Sequence, residues 1–536
     1  MITALVRLSI MVLTGSYDRV HIGEIDNIAV SIASGRGFAD AYAPGTGPTT
    51  HYTPAQPLLI AACYALFGID SDGELARQLQ RLLFSCLLFG ALPWIALRFG
   101  LSARAGLFAG LLGAALPLHV LQELRGSGAI LDSIFIAALC VVTFPYWRRA
   151  AQNDESLLPD PNRSTEPRPQ GIGSSPSRAA GFQESPDGPP RATQNHEDAP
   201  RHSEPRPSGS GRHWPSEELL PQSESVARES IGSAQAGQVR PETAAERSQS
   251  PGRSEFVVRD SSEGPQAAQD QSESAAHASA GSRFGVAGGL CHGLLIGLAC
   301  LFNPVVAAVA AGLGIYAFLR FPAGRRNIAV HYATAAAVTF ACLLPWGLYN
   351  YSRMDRFVLT RGNLPLEMSL SFHPKAEPLL KTAWTVPGAY PHPSADPSAS
   401  ERVRQLGEAA FMEERKQQAV AFIKENPGRV ARLVAQRFFY FWFPDNGRLT
   451  QNAGFWLLTL AALAGLGVLI RRRESALPVF GVILTFYPMV YYLQMADTQY
   501  RLTIYWVFLL LSGVLVDSCL SLLARQQDAE ETVNSI

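Results

Sequence analysis

Long apolar windows alternate along the chain with a few extended polar segments. Ten windows are candidate membrane spans: 1–15, 79–98, 103–121, 128–147, 284–301, 304–319, 328–348, 453–470, 477–494 and 500–523. A helix needs roughly 20 apolar residues to cross a bilayer, so the first window is short for a span. The pattern predicts an all-α polytopic membrane protein with about ten transmembrane helices.

Arginines in the short connections indicate the orientation of these spans. They are Arg98 and Arg104, Arg148 and Arg149, Arg320, Arg325 and Arg326, Arg471 to Arg473, and Arg525 after the last span. If the N-terminus is cytoplasmic, ten spans place all of them on the cytoplasmic side, as the positive-inside rule requires. The two long loops, 16–78 and 349–452, then face outward from an inner or plasma membrane, with juxtamembrane helices in the second.

The polar segment 150–282 differs in kind from the loops. It is rich in Ser, Pro, Gly, Glu, Gln and Arg and has only three aromatic residues, so it cannot bury enough apolar surface to offset chain entropy. We predict a disordered cytoplasmic insertion. The predicted parts are an N-terminal transmembrane part with the first outward loop (1–149), the insertion (150–282), central transmembrane helices (283–348), an outward-facing helical loop domain (349–452), and C-terminal transmembrane helices with a short tail (453–536).

Composition excludes several classes of protein. Lys plus Arg and Asp plus Glu both number 45, so the net charge gives no indication of a nucleic-acid partner. All seven cysteines lie in apolar stretches without a CxxC pair, which favours packing over disulfide or zinc chemistry. The chain has no Walker A loop, no GxGxxG motif opening a βαβ unit, no HExxH and no GxSxG, so ATP-driven transport and common hydrolase chemistry have no support.

The first outward loop carries two candidate catalytic acids. The sequence predicts a helix from about Gly23 to Ser34 that ends at Gly35, with Glu24 and Asp26 in its first turn. Two positions on a helix are about 200° apart, so the two carboxylates cannot share a face. We expect at most one of them to point into a cavity. The alternative is an acid pair that is favoured only by the helix dipole.

Other polar residues of the same loop are candidate ligands. His51, His21 and Asp18 could bind a divalent metal together with Glu24, although their spacing matches no compact ligand motif, and a solvated loop histidine explains them as well. Asp132 lies near the outer end of a predicted span. An ionisable group at that depth is costly and tends to be functional, unless it reaches the interface.

Basic residues of the outer face are candidate phosphate ligands. Arg353, Arg356 and Arg361 begin the second outward loop, against the positive-inside bias, and Arg binds phosphate with two parallel hydrogen bonds. A solvated face or ion pairs with Asp355 and Glu367 explain them equally well. Tyr500 and Arg501 stand at the head of the last span, where an arginine contacts a lipid phosphate or anchors a helix.

Five stretches together resemble a known family. They are GEIDNIAVSIASGRGF followed by GPTTHYTPAQPLLIAACYALFG, GLLIGLACLFNP at 293–304, PWGLYNYSRMDRFVLTRGN at 345–363, GEAAFMEERKQQAVAFIKENPGR at 407–429, and DTQYRLTIYW at 497–506. In this order and spacing the chain resembles polytopic glycosyltransferases of the protein-mannosyltransferase and aminoarabinose-transferase type, which have the GT-C fold (glycosyltransferase family 39-like). The stretches extend over nearly the whole chain except 150–282.

The resemblance implies transfer of a sugar from a polyprenyl-phosphate donor to a lipid, glycan or protein acceptor at the outer face, with inversion. An acid of the first outward loop would act as general base or metal partner, which assigns a catalytic role to Glu24 or Asp26, with Asp18 as a further choice. Better-known members carry an Asp-Glu pair where this chain has His21 and Ile22. The substrate-binding residues would be His51, Asp132, Arg353, Arg356, Arg361, Tyr500 and Arg501, although the terminal motif often reads Arg-Tyr-Arg where this chain has Gln499-Tyr500-Arg501.

Two other classes stay open on sequence alone. One is a transporter or lipid-flipping membrane protein without covalent chemistry, for which paired broken helices would be typical. The other is a scaffold whose segment 150–282 binds a partner. The sequence identifies no protein partner and no certain cofactor.

Overall fold

The computed structural model describes residues 1–18, 23–116, 128–156 and 285–534, all within one compact unit. Within these ranges the chain is helical, and its only β-type pairings are the isolated bridges Ala39–Pro48 and Leu379–Ala496. The predicted disordered segment, 150–282, lies outside the described residues from position 157 onward. So does His21, one of the predicted metal ligands.

We number the α-helices in chain order. They are α1 (Ile2–Thr14), α2 (Glu24–Ala33), α3 (Ala55–Phe67), α4 (Ser71–Arg98), α5 (Ala103–Ala115), α6 (Ala129–Ser156), α7 (Val286–Phe302), α8 (Val306–Arg320), α9 (Arg325–Met354), α10 (Leu364–Ser371), α11 (Leu380–Thr385), α12 (Pro397–Glu425), α13 (Pro427–Trp442), α14 (Leu449–Arg472), α15 (Leu477–Tyr491), α16 (Gln499–Leu502) and α17 (Tyr505–Asn534). Short 3-10 helices cover Ser16–Asp18 and Pro322–Gly324.

The apolar helices have the length and composition of membrane spans. Five of them, α4, α6, α9 with the turn before it, α14 and α17, are long and apolar enough to cross a bilayer. The helices α1, α3, α5, α7, α8 and α15 are apolar but shorter. The chain is therefore an all-α membrane protein, as predicted. Each predicted window overlaps one of these helices, and the ten-span topology stays a prediction.

Glycines allow two of the membrane helices to approach closely. Gly289, Gly293 and Gly297 recur every four residues on the face of α7 that packs against α9. A Cβ atom at Gly293 would lie 2.5 Å from the carbonyl oxygen of Ala335, so no larger residue fits without moving the backbone. Small residues at such spacing let helix backbones pack directly in lipid.

A second apolar core lies at the C-terminal end of α9 and joins the two long loops. Its residues come from α2 and the turn after it (Ile28, Phe38, Ala41, Tyr42), from α9 (Trp346), from α10 to α12 (Leu366, Leu370, Ala383, Ala389, Val403, Phe411, Met412) and from the turn after α15 (Met495). We call this set the loop core. It holds the first and second loops together, so side chains far apart in sequence can share a site.

A kink in α12 also joins the loops. Gly407 has φ 75° and ψ 155°, a conformation that only glycine adopts without strain, and the helix changes direction there. Glu408 follows directly and is buried against the first loop. It accepts hydrogen bonds from the backbone N–H of Thr50 at 2.7 Å and from the hydroxyls of Thr49 and Thr50. The segment before His51 is thereby fixed by a residue of the second loop.

Candidate active site

Glu24 of α2 lies between two histidines from different loops. Its Oε2 is 2.9 Å from Nε2 of His51, and its Oε1 is 3.1 Å from Nε2 of His392, which belongs to the turn between α11 and α12. The hydroxyl of Ser394 donates to Oε1 at 2.9 Å. The side chain of Glu24 retains 19 % of its accessible surface, whereas both histidines are buried. We call Glu24, His51 and His392 the carboxylate cluster.

The partners of each imidazole indicate where its proton lies. The backbone N–H of Ser394 donates to Nδ1 of His392 at 3.1 Å, so this ring carries its proton on Nε2, toward Glu24. The hydroxyl of Tyr42 lies 3.0 Å from Nδ1 of His51. The carboxylate of Glu24 can only accept, so Nε2 of His51 carries the proton and Nδ1 accepts a hydrogen bond from the Tyr42 hydroxyl. His51 then donates from Nε2 to Glu24.

This environment stabilises Glu24 as an anion. Burial by itself would raise the pKa of Glu24, but electrostatic interactions with His392 and His51 and hydrogen bonds from His51 and Ser394 outweigh burial and hold its pKa below the usual range. Burial lowers the pKa of His392 to about 4, so that imidazole is neutral at neutral pH. A carboxylate so held is a fixed negative charge and a weak proton acceptor.

Arg361 contacts His51 of the carboxylate cluster and leaves the two terminal nitrogens of its guanidinium uncommitted among the described residues. Its Nε donates to the backbone oxygen of His51 at 3.0 Å, and its guanidinium lies 4.6 Å above the ring of Tyr52. Its two terminal nitrogens make no hydrogen bond to any described residue. A half-buried guanidinium with two uncommitted terminal NH2 groups has the geometry that binds phosphate.

Asp132 lies in the first turn of α6, near Asn303 and Arg361. Its Oδ2 accepts from Nδ2 of Asn303 at 2.7 Å, and the side chain is buried close enough to Arg361 to interact electrostatically. The first loop contacts the residue before Asn303, because the hydroxyl of Thr53 donates to the backbone oxygen of Phe302 at 2.6 Å. The structure therefore brings four of the candidate residues, Glu24, His51, Arg361 and Asp132, into one region.

Several predicted site residues lie elsewhere. Asp26 faces away from Glu24 and accepts from Arg77 of α4 at 2.8 Å, which confirms that the two acids do not share a face. Arg353 and Arg356 are exposed, and Arg353 lies over the ring of Tyr349. Neither arginine contacts the carboxylate cluster within the described residues.

Tyr500 and Arg501 both belong to α16, just before the last helix, but their side chains contact different residues. Tyr500 stacks on Tyr491 with ring centroids 4.5 Å apart and interacts electrostatically with Glu367. Arg501 is buried and donates to the backbone oxygen of Trp442 at 3.2 Å and to the hydroxyl of Thr459 at 2.8 Å. Its guanidinium therefore connects α16 to α13 and α14, and the expected phosphate contact has no support in this geometry.

The carboxylate cluster does not fit a bound divalent metal. One ligand atom from each of Glu24, His51 and His392 lies within 4.8 Å of the others, a spacing that a cation could bridge. Metal binding through Nε2 requires a lone pair on that nitrogen, however. The Ser394 N–H and hydroxyl lie 3.1 and 2.6 Å from Nδ1, and donation from the N–H favours the form of His392 that carries its proton on Nε2. Asp18 is not a member of the group.

We therefore expect a metal chelator to leave the thermal stability of the protein unchanged. Treatment with EDTA should not alter its melting temperature in detergent, and added Zn²⁺ should not raise it. The measurement is a thermal-unfolding series for wild type and His392→Ala. A stabilisation by Zn²⁺ that the His392→Ala variant loses would contradict the assigned protonation and establish a metal site.

The sequence interpretation missed the roles of His392, Ser394, Glu367 and Glu408. His392 and Ser394 lie in the Pro-rich patch 387–397, where neither periodicity nor a motif distinguishes them. Glu408 directly follows Gly407, and a glycine within an otherwise helical pattern was the one available signal of a kink. Glu367 was considered only as an ion-pair partner for arginine.

The class that the fold defines is an all-α membrane protein with a polar site where two long loops meet. No protein-family model, curated protein or solved structure matches this chain.

Proposed function

We propose that the protein is a membrane glycosyltransferase with a GT-C-like architecture, which moves a sugar from a polyprenyl-phosphate donor to a hydroxyl acceptor at the outer membrane face. One observation carries the proposal. Two loops distant in sequence close on each other through the loop core, so that an ionised carboxylate, Glu24, and the guanidinium of Arg361 both contact His51. A carboxylate and a guanidinium match the opposite charges that develop when a sugar leaves a phosphate.

An apolar groove supports a lipid-linked donor. It has a volume of about 650 Å³ and is lined by α8 and α9 with Ile296 of α7. Along α9 its lining extends from Ile328 to Leu343, which is about 22 Å at 1.5 Å per residue. Its walls are almost entirely apolar, and Ile296 is six residues before Phe302, whose carbonyl binds the first loop. An isoprenoid tail in the groove would point its phosphate toward Arg361.

The proposed roles follow from charge. Arg361 binds the lipid phosphate through its two terminal nitrogens and stabilises the negative charge that grows on it as the sugar leaves. Glu24 stabilises the positive charge of the oxocarbenium-like transition state. The resemblance implied a first-loop acid as base or metal partner, and the low pKa of Glu24 favours a role through its fixed charge. Direct displacement by the acceptor inverts the anomeric carbon.

The groove also favours a second candidate, a lipid-handling protein without covalent chemistry. Both candidates bind the same lipid, and they differ in whether the donor is chemically consumed. The experiment offers the purified protein, reconstituted in vesicles, a panel of radiolabelled polyprenyl-phosphate sugars and the matching sugar phosphates without a lipid tail. We expect transfer from a lipid-linked donor only. Movement of intact donor between leaflets, without loss of its sugar, would support the second candidate instead.

A further inference from the structure

A second carboxylate shares the site with Glu24 and has a contrasting environment. Glu367, in the first turn of α10, accepts one hydrogen bond, from Nδ2 of Asn363 at 3.2 Å. Its other oxygen has no hydrogen bond to any described residue, and the side chain is half-buried. Glu24 by contrast is contacted by two imidazoles and a hydroxyl.

Charged and titratable groups from every neighbouring element face Glu367. They are Glu24, Tyr42, His51, Tyr52, Arg361, Tyr390 and Tyr500. Burial raises the pKa of Glu367. Electrostatic interactions with His51 and Arg361 partly offset this increase, whereas the interaction with Glu24 adds to it. Glu24 and Glu367 are thus two carboxylates of one site whose environments shift their pKa values in opposite directions. Such a divergence separates a fixed charge from a group that exchanges protons.

We propose that Glu367 is the general base of the transfer, an inference that rests on the proposed function. Its carboxyl group interacts electrostatically with His51 and with Arg361, the proposed phosphate ligand. Its helix also contributes Leu366 and Leu370 to the loop core, which contains Ile28 of α2. A base needs an oxygen that is open to the acceptor hydroxyl. One oxygen of Glu367 accepts no hydrogen bond from a described residue, whereas both oxygens of Glu24 are contacted by His51, His392 or Ser394. The second loop, and not the first, then supplies the proton acceptor.

The step balances as a direct displacement. The acceptor hydroxyl oxygen forms a bond to the anomeric carbon, and its proton passes to the carboxylate of Glu367. The bond between the anomeric carbon and the phosphate oxygen breaks, and its electron pair stays on the phosphate. Polyprenyl phosphate leaves beside Arg361, and protonated Glu367 returns its proton to water.

The test compares Glu367→Gln, Glu24→Gln and wild type in the vesicle transfer assay across pH, with the surface variant Glu401→Gln as a matched control. General bases contribute typically 10²–10⁴-fold, so we expect kcat of Glu367→Gln to fall about 100-fold or more while the KM for the lipid donor stays unchanged. The acid limb of the wild-type pH profile should disappear in Glu367→Gln and persist in Glu24→Gln. Formate should partly restore a Glu367→Ala variant, as expected when a small carboxylate replaces a base.

Each other result has a distinct meaning. If wild type transfers sugar and the kcat of Glu367→Gln is within a few fold of the wild-type value, Glu367 is not the base and the proposed function stands. The same conclusion follows if the acid limb of the pH profile survives in Glu367→Gln. Loss of the acid limb in Glu24→Gln instead assigns the base to the first loop. If wild type consumes no donor, the proposed function fails, and the role of Glu367 fails with it.

Discussion

Replacing Glu24 by Gln should lower kcat for sugar transfer about 100-fold or more while the protein stays folded. The change keeps the shape of the side chain but removes the negative charge that His51, His392 and Ser394 surround. Removing one preorganised electrostatic group of a transition state costs typically about 10²–10³-fold. The measurement is initial rate against donor concentration in reconstituted vesicles, with melting temperature recorded for each variant.

The control for this variant is Glu401→Gln. Glu401 belongs to the second loop, pairs at the surface with Arg404 at 3.1 Å and has no contact with the carboxylate cluster among the described residues. It should transfer at the wild-type rate. Equal rates for Glu24→Gln and wild type would show that the charge of Glu24 has no part in the reaction.

Replacing Arg77 by Met should strongly destabilise the first loop. Arg77 is fully buried and bridges Asp26 of α2 and Glu74 of its own helix, so its loss removes the guanidinium that forms an ion pair with each of these two buried carboxylates. Breaking a buried ion pair from one side costs about 3–5 kcal/mol. We expect a drop of that size in the free energy of unfolding, measured by equilibrium unfolding in mixed detergent micelles.

A surface pair provides the comparison for Arg77. Arg402 and Glu414 lie 3.2 Å apart with both side chains partly exposed to solvent. Such pairs contribute about 0–1 kcal/mol, so Arg402→Met should change the unfolding free energy little. Similar effects of Arg77→Met and Arg402→Met would contradict the buried network as the anchor of α2.

The sequence predicted where the helices of this fold lie better than it predicted which residues contact each other. Apolar windows located the membrane helices, because hydrophobic length is a local property. Gly35, with φ 76°, follows the end of α2, and Asn426-Pro427 separates α12 from α13, as the turn and proline signals predict. The apolar helix α3 was the exception, since it lies inside what the pattern assigned to the first outward loop.

The candidate site was only partly predictable, because contacts between distant segments leave no local pattern. Helical spacing separated Glu24 from Asp26 but could not say which of them faces a cavity. Arg501 shows the same limit, since its position at the head of a span suits a lipid phosphate while its guanidinium turns inward to Trp442 and Thr459. His392 reaches Glu24 only because the loop core closes.

Sugar transfer in a single turnover tests the central claim most directly. Wild-type protein in vesicles is mixed with a polyprenyl-phosphate donor labelled in both its sugar and its lipid, together with a hydroxyl acceptor. We predict that the labelled sugar appears on the acceptor with inverted anomeric configuration, while an equal amount of polyprenyl phosphate is released. Recovery of the whole donor intact, whether or not it has crossed the bilayer, would contradict the account.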